Sequence, residues 1–263
     1  MACSKNYFTL EAEMTLQRLQ INNISVKFGG LAALQNVSFE LDDNQLLGFI
    51  GPNGAGKTTL MRVIMGMINP NDGTVILNGN DITHLKSVHR IHAGISLGQQ
   101  IVKPLRGMSL LDNVALAFGG NKLLSPLKAL MVRGKSAERD AAHEILKLVG
   151  LGDVVNKLPN EVPLGFLKRL EVARALALKP TLLLLDEPLA GLSKPEAEEM
   201  ADLISGLTRP GLSVILIEHN LPQVLRVCPK LYVQANGQGL AYGPTAQVMA
   251  DPVVRKAYLG KEA

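Results

Sequence analysis

Residues 51–59 read GPNGAGKTT, which matches the spacing G-x-x-x-x-G-K-[ST] with Gly51, Gly56, Lys57 and Thr58 in the fixed places. The spacing predicts a backbone cradle of Gly51, Pro52, Asn53, Gly54, Ala55 and Gly56 whose amide N–H groups point at phosphate oxygens. Glycine at 51, 54 and 56 lets the backbone fold closely around the anion. Lys57 would reach the β- and γ-phosphates of a nucleotide, the Thr58 hydroxyl would take one position on Mg²⁺, and Thr59 would support the α-phosphate. Asp186-Glu187 follows a leucine run, so the pair should emerge at the carboxyl end of a buried strand. Two adjacent carboxylates beside an apolar core call for a cation or a substrate. Asp186 suits Mg²⁺ held through its water shell, and Glu187 suits polarisation of a water in line with the γ-phosphate. His219 ends the next apolar run and should reach the same edge, where its imidazole could contact that phosphate. A metabolic kinase can use the same phosphate loop, but the acidic pair and His219 favour water as the acceptor.

These residues need particular elements behind them. Residues 46–50 form a continuous apolar run before the loop, and 59–66 carry a helical pattern after it, giving strand, loop and helix. Residues 15–28 read as two short strands broken at Asn22-Asn23, and Val37, Phe39 and Leu41 alternate with Ser38 and Glu40; this early alternation predicts an antiparallel sheet. Phe28, before Gly29-Gly30, could stack on an adenine ring. Further strands are expected at 74–77 and 94–97. Ser109 caps a following helix with Asp112 in its first turn, and 110–150 is mainly helical up to Gly150, a natural stop. A helix is predicted over 166–179. The runs 181–185 and 213–217, separated by a helical pattern at 195–207, form a βαβ unit and imply a parallel sheet covered on both faces. Strands near 231–234 and 240–242 and a short helix complete the chain. The expected fold is α/β: a mixed sheet core, an antiparallel β part and an inserted helical block.

The chain has 263 residues, 47% of them hydrophobic, enough for one nucleotide-binding domain with a subdomain. No apolar run approaches the roughly 20 residues of a membrane-spanning helix. Residues 1–14 contain acids and lack a secretory pattern, and they read as an N-terminal extension. Cys3 and Cys228 form no C-x-x-C pair, which points to a reduced setting. The net charge of +4 is mildly basic, but aromatics are only 4% with no tryptophan, so nucleic acid is not the expected partner. Lys103, Arg106, Lys122, Lys128, Arg133 and Lys135 concentrate in the middle of the chain, on a solvated face or one turned to anionic lipid. His84, His89 and His92 lack a convincing zinc ligand set.

Together these motifs resemble the ATP-binding subunits of ABC transporters, P-loop NTPases, over residues 16–260. The resemblance implies one ABC ATPase domain over 15–263 with a helical subdomain at about 101–178. It makes 51–58 the Walker A loop and Gln100 the Q-loop glutamine, a ligand of Mg²⁺ and a catalytic residue. Residues 182–186 become Walker B, Glu187 the catalytic glutamate, His219 the switch histidine and Phe28 the adenine-stacking aromatic. Lys57 joins Gln100, Glu187 and His219 in catalysis, and ATP with Mg²⁺ is the expected substrate and cofactor.

The segments Phe28-Gly29-Gly30-Leu31, Arg169-Leu170-Glu171-Val172-Ala173-Arg174-Ala175-Leu176, Glu187-Pro188-Leu189-Ala190-Gly191-Leu192, Glu218-His219-Asn220 and Ala257-Tyr258-Leu259-Gly260 are similar to the branched-chain amino acid branch. That likeness implies a second, different ATPase subunit, two separate permeases and an extracytoplasmic binding protein, with this chain on the cytoplasmic face of the membrane. A non-transport ABC ATPase acting as an assembly or regulatory clamp is the alternative. One departure concerns the signature, usually LSGGQ, which here is Val162-Pro163-Leu164-Gly165-Phe166. Pro163 offers neither hydroxyl nor N–H, while Gly165 and the helix N-terminus can still face the partner's ATP. Ala190-Gly191-Leu192-Ser193 also lacks the aspartate of many D-loops.

Overall fold

The computed structural model describes residues 17–99, 102–123 and 135–259. Alternate burial of Val37, Phe39 and Leu41 is what a strand with one wet face requires, and it pairs β2 (Leu31–Asp42) with β1 (Gln17–Phe28). Here the structure corrects the sequence reading, because β1 is one strand rather than two. The Asn22-Asn23 break is a register slip between Ile21 and Ile24 with Asn23 at φ +51°. Asparagine enters that left-handed region more readily than other side chains, so the kink is absorbed as a bulge. β3 (Leu46–Ile50) belongs to a second sheet, whereas β4 (Asp72–Leu77) and β5 (Asn80–Asp81) complete the antiparallel one in the order β2-β1-β4-β5.

The larger sheet runs β10-β9-β3-β8-β7-β6, with β6 (Ile95–Gly98), β7 (Leu182–Asp186), β8 (Ser213–Ile217), β9 (Lys230–Ala235) and β10 (Gln238–Pro244). Its pairs are parallel except β9 with β10. The central strands β3, β7 and β8 are covered on both faces, which explains their unbroken apolar runs, whereas β10 at the edge is largely exposed. Leu47, Phe49, Leu182, Leu184, Ile215 and Ile217 face a core shared with β1, β2 and the helix α1 (Lys57–Ile64). Their neighbours Leu46, Ile50, Leu183, Leu185, Val214 and Leu216 face the opposite core.

That second core is built by helices. After α2 (Ser87–His92) come α3 (Leu110–Leu123), α4 (Lys135–Leu148), α5 (Leu164–Ala177) and α6 (Lys194–Ser205), followed by α7 (Leu221–Val227), α8 (Thr245–Ala250) and α9 (Pro252–Leu259). Asp112 N–H donates to Ser109 Oγ at 3.1 Å as the α3 cap, and Gly150, at φ +74°, ends α4. α5 starts two residues before the expected position because Pro163 is its N-cap, placing Leu164, Gly165 and Phe166 in the first turn. Its buried Leu170, Val172 and Ala173 join the helical block to the sheet.

Candidate active site

The sheet presents the carboxyl ends of β3, β7 and β8 side by side, so the loop, the acidic pair and His219 converge. In the loop, two glycines answer to neighbours. A Cβ on Gly51 would lie 2.1 Å from the Gln234 carbonyl oxygen, and one on Gly56, at φ +98°, would lie 2.7 Å from the Ala33 oxygen and from Gln234 Nε2. Gly54 differs: it has φ +79° and open space around it, where a ligand can approach. Fully buried Gln234 donates from Nε2 to the Ala55 oxygen at 2.7 Å, and Gly237 N–H donates to the same oxygen at 3.0 Å. The β9–β10 turn thus grips the loop from behind. Lys57 is buried and donates to the Gly51 and Pro52 oxygens at 2.6 and 3.0 Å. Burial lowers its proton affinity, opposed by the charges of Glu187 and Asp186.

Asp186 ends β7, and burial raises its proton affinity, reinforced by Glu187 and opposed by His219, Lys57 and Arg62. Such a carboxyl gains from a cation. Glu187 continues the ladder by donating its N–H to the Ile217 oxygen at 2.9 Å, yet it holds φ +50°. His219 Nε2 contacts Glu187 Oε1. Beneath them lies Glu218, 3% exposed, which accepts from the N–H groups of Leu189, His219 and Asn220 at 2.6, 3.1 and 3.4 Å. Lys168 of α5 donates to the Glu187 carbonyl at 3.3 Å. Motif reading missed Gln234 and Lys168, and it quoted Glu218 within Glu218-His219-Asn220 without giving it a role. Lys168 carried a signal of its own, since it shares a helix face with the apolar Val172 and Ala175.

Asn53, Gly54, Ala55, Gly56, Lys57, Thr58, Thr59, Asp186, Glu187 and His219 line one cleft of ≈ 510 Å³. Gly51 and Pro52 are not part of its lining and accept from Lys57. Phe28 is not part of its lining. It is 49% exposed at the end of β1, paired with Leu31, and the wall on that side is Leu31, Ala32 and Ala33. Gly165 sits in the first turn of α5, where a Cβ would meet Glu196 Oε1 at 3.0 Å, and it does not line the cleft. Gln100 lies outside the described residues, as do residues 1–14. The oxygen donors of Thr58 and Asp186 share the cleft with the open backbone at Gly54 and the Lys57 ammonium. That set fits a polyphosphate with a hard divalent cation.

The family model described as ABC transporter matches residues 34–190, and one described as branched-chain amino acid ATP-binding cassette transporter matches residues 240–263. The high-affinity branched-chain amino acid transport ATP-binding protein LivG of Escherichia coli K12 is 32% identical over 254 residues, covering 94% of this chain and 100% of its own. The lipopolysaccharide export system ATP-binding protein LptB of Haemophilus influenzae is 30% identical over 244 residues, 93% of this chain and 98% of its own. The crystal structure of the ADP conformation of an ATP-binding cassette of an ABC transporter has a TM-score of 0.82 at 32% identity, with 94% and 100% coverage. The chain belongs to the ABC transporter family, as one of its ATP-binding subunits that hydrolyse ATP to drive transport.

Proposed function

We propose that this chain energises uptake of branched-chain amino acids, or of a related small polar or amphipathic solute, through separate permease subunits. The observation that carries the cargo reading is the match of residues 240–263 to the branched-chain cassette model, joined to the likeness to LivG over nearly the whole chain. No helix among the described residues is long and apolar enough to cross a membrane, which suits a subunit resting on permeases at the cytoplasmic face. Its partners on this reading are a second, different ATPase subunit, two permeases and, indirectly, an extracytoplasmic binding protein.

The residues divide the work. The loop amides bind the phosphates, and Lys57 exchanges its Gly51 and Pro52 acceptors for phosphate oxygens. Thr58 and Asp186, with Gln100, would hold Mg²⁺, which when bound neutralises charge on the β- and γ-phosphate oxygens. Glu187 orients the attacking water and takes its proton, and His219, in contact with Glu187, reads the γ-phosphate. Phe28 serves the adenine from the rim. Gly165 serves the partner's ATP rather than the cis one, in keeping with its place outside the cleft.

Reconstitution in liposomes tests this reading. The chain is expressed with the permeases and partner ATPase encoded beside it, and ATP hydrolysis is measured with the cognate binding protein loaded with leucine, isoleucine or valine. The expected result is co-purification with the permeases and stimulation by a loaded binding protein. Stimulation by lipopolysaccharide instead, as the likeness to LptB would have it, would overturn uptake. Purification with no permease would favour the clamp.

A further inference from the structure

Lys168 stands in the second turn of α5, only 4% exposed, on the buried side of the helix. A lysine there loses its hydration, and burial is the main influence lowering its proton affinity. Compensation comes from two directions. Its Nζ donates to the Glu187 carbonyl at 3.3 Å, and the charges of Glu218, Glu187, Asp186 and Glu171 surround it. Glu218 in turn accepts the N–H groups of Leu189, His219 and Asn220. One buried cation and one buried carboxylate therefore tie together the start of α5, the segment after β7 and the segment after β8. Glu187 itself holds φ +50°, an unfavourable conformation for a side chain with a Cβ, and one that persists only where surroundings fix it. Both flanking peptides are fixed: the Glu187 N–H on the Ile217 oxygen, and the Glu187 carbonyl by Lys168 Nζ and by Ala190 N–H at 3.2 Å.

We propose that Lys168 is a positioning residue for hydrolysis: from the helix that begins at the signature, its ammonium fixes the Glu187 peptide and thereby the aim of the Glu187 carboxylate at the attacking water. The proposal rests on the reading that Glu187 activates that water. It adds a consequence: any tilt of α5 carries Lys168 with it, so hydrolysis in this chain's own cleft depends on how its signature helix is seated.

The test compares variants in the assembled transporter, reading kcat and KM for ATP and, separately, the affinity for a fluorescent ATP analogue. Lys168→Met keeps an unbranched chain and removes the charge. Its kcat is expected to fall about tenfold to a hundredfold, the scale of a misaligned reacting group, with KM and analogue affinity within about twofold. Lys168→Arg, which still donates, is expected to restore most of the turnover. A Lys168→Met kcat close to that of the parent overturns the proposal, and so does a loss of nucleotide affinity matching the loss of turnover, which would mark a merely structural role. Should Lys168→Met fail to assemble, the double variant Lys168→Met/Glu218→Gln removes the buried carboxylate charge that has lost its neighbouring cation, and its turnover and affinity are read against Glu218→Gln alone. Low turnover with intact affinity supports the proposal there, and full turnover overturns it. Glu187→Gln is run alongside: retained hydrolysis in that variant defeats the reading of Glu187 itself, whereas lost hydrolysis with a normal Lys168→Met defeats only the role of Lys168.

Discussion

A methyl group added at Gly51 would stand 2.1 Å from a backbone oxygen, whereas one added at Gly54 would meet nothing within 4 Å. The two glycines therefore have different reasons to be glycine, and alanine separates them. Gly51→Ala forces the β9 backbone or the loop to move, with a stability loss of about 1–3 kcal/mol. Gly54→Ala carries only the strain of φ +79°, about 1 kcal/mol, but sets its methyl where a phosphate must approach. Urea unfolding should thus rank Gly51→Ala as the less stable protein, and nucleotide titration should show that well-folded Gly54→Ala binds ATP more weakly than the parent. A Gly54→Ala protein with parental affinity would refute the ligand-side role. The loop was legible in the sequence because phosphate chemistry demands fixed residue types at fixed local spacing. Gln234 was not, because it reaches Ala55 from 179 residues along the chain, a proximity that only the pairing of β3 with β9 creates.

α1 carries the phosphate loop at its start, and its far end is held by one side chain. Arg90 of α2, fully buried, donates from Nη1 to the Val63 and Ile64 oxygens at 2.6 and 2.8 Å, from Nη2 to the Thr83 oxygen at 2.7 Å and from Nε to the Leu85 oxygen at 2.9 Å. The last carbonyls of a helix have no partner within it, and a guanidinium can serve several acceptors at once. Burial pushes its pKa down to about 10, which leaves it charged at neutral pH. Arg90→Met removes the donor from the Ile64, Thr83 and Leu85 oxygens, each costing about 1–3 kcal/mol when buried and unmet, while the Val63 oxygen keeps the Gly66 N–H at 3.0 Å. The expected stability loss is at least about 3 kcal/mol, with faster amide exchange at the end of α1; a loss below 1 kcal/mol in urea unfolding would show that water replaces the clamp. Elements divide in legibility as residues do. The buried runs of β3, β7 and β8 announced themselves by composition. The continuity of β1 did not, because Asn22-Asn23 reads as a turn until β2 and β4 pair on either side of it. The start of α5 differs by two residues, because Val162-Pro163-Leu164-Gly165 signals a helix opening without fixing which residue takes the first helical position.

At the scale of the molecule, the proposed reading makes the cleft built by this chain half of a working site, with the altered signature as the chain's own contribution to its partner. Pro163 caps α5 with no side-chain hydrogen bond, and the N–H groups of Phe166 and Leu167 are taken by the Pro163 oxygen. Leu164 and Gly165 are left to supply amide donors at the helix N-terminus. A carboxylate stands beside them, since Glu196 is held by Ser193 N–H and Oγ at 2.9 and 2.6 Å, and these bonds lower its proton affinity. A fixed negative charge and a missing hydroxyl both oppose a γ-phosphate docking there. The two ATP sites of the assembled pair should therefore be unequal. Glu187→Gln is expected to lower ATP turnover by about a hundredfold or more, while the same substitution of the partner's catalytic glutamate lowers it by less than about twofold. Pro163→Ser, made in the Glu187→Gln background, should raise the residual turnover by restoring a hydroxyl and an N–H to the partner's site. Equal losses from the two glutamate substitutions, or no gain from Pro163→Ser, would show that the proline signature closes on its partner's nucleotide as well as a serine one does.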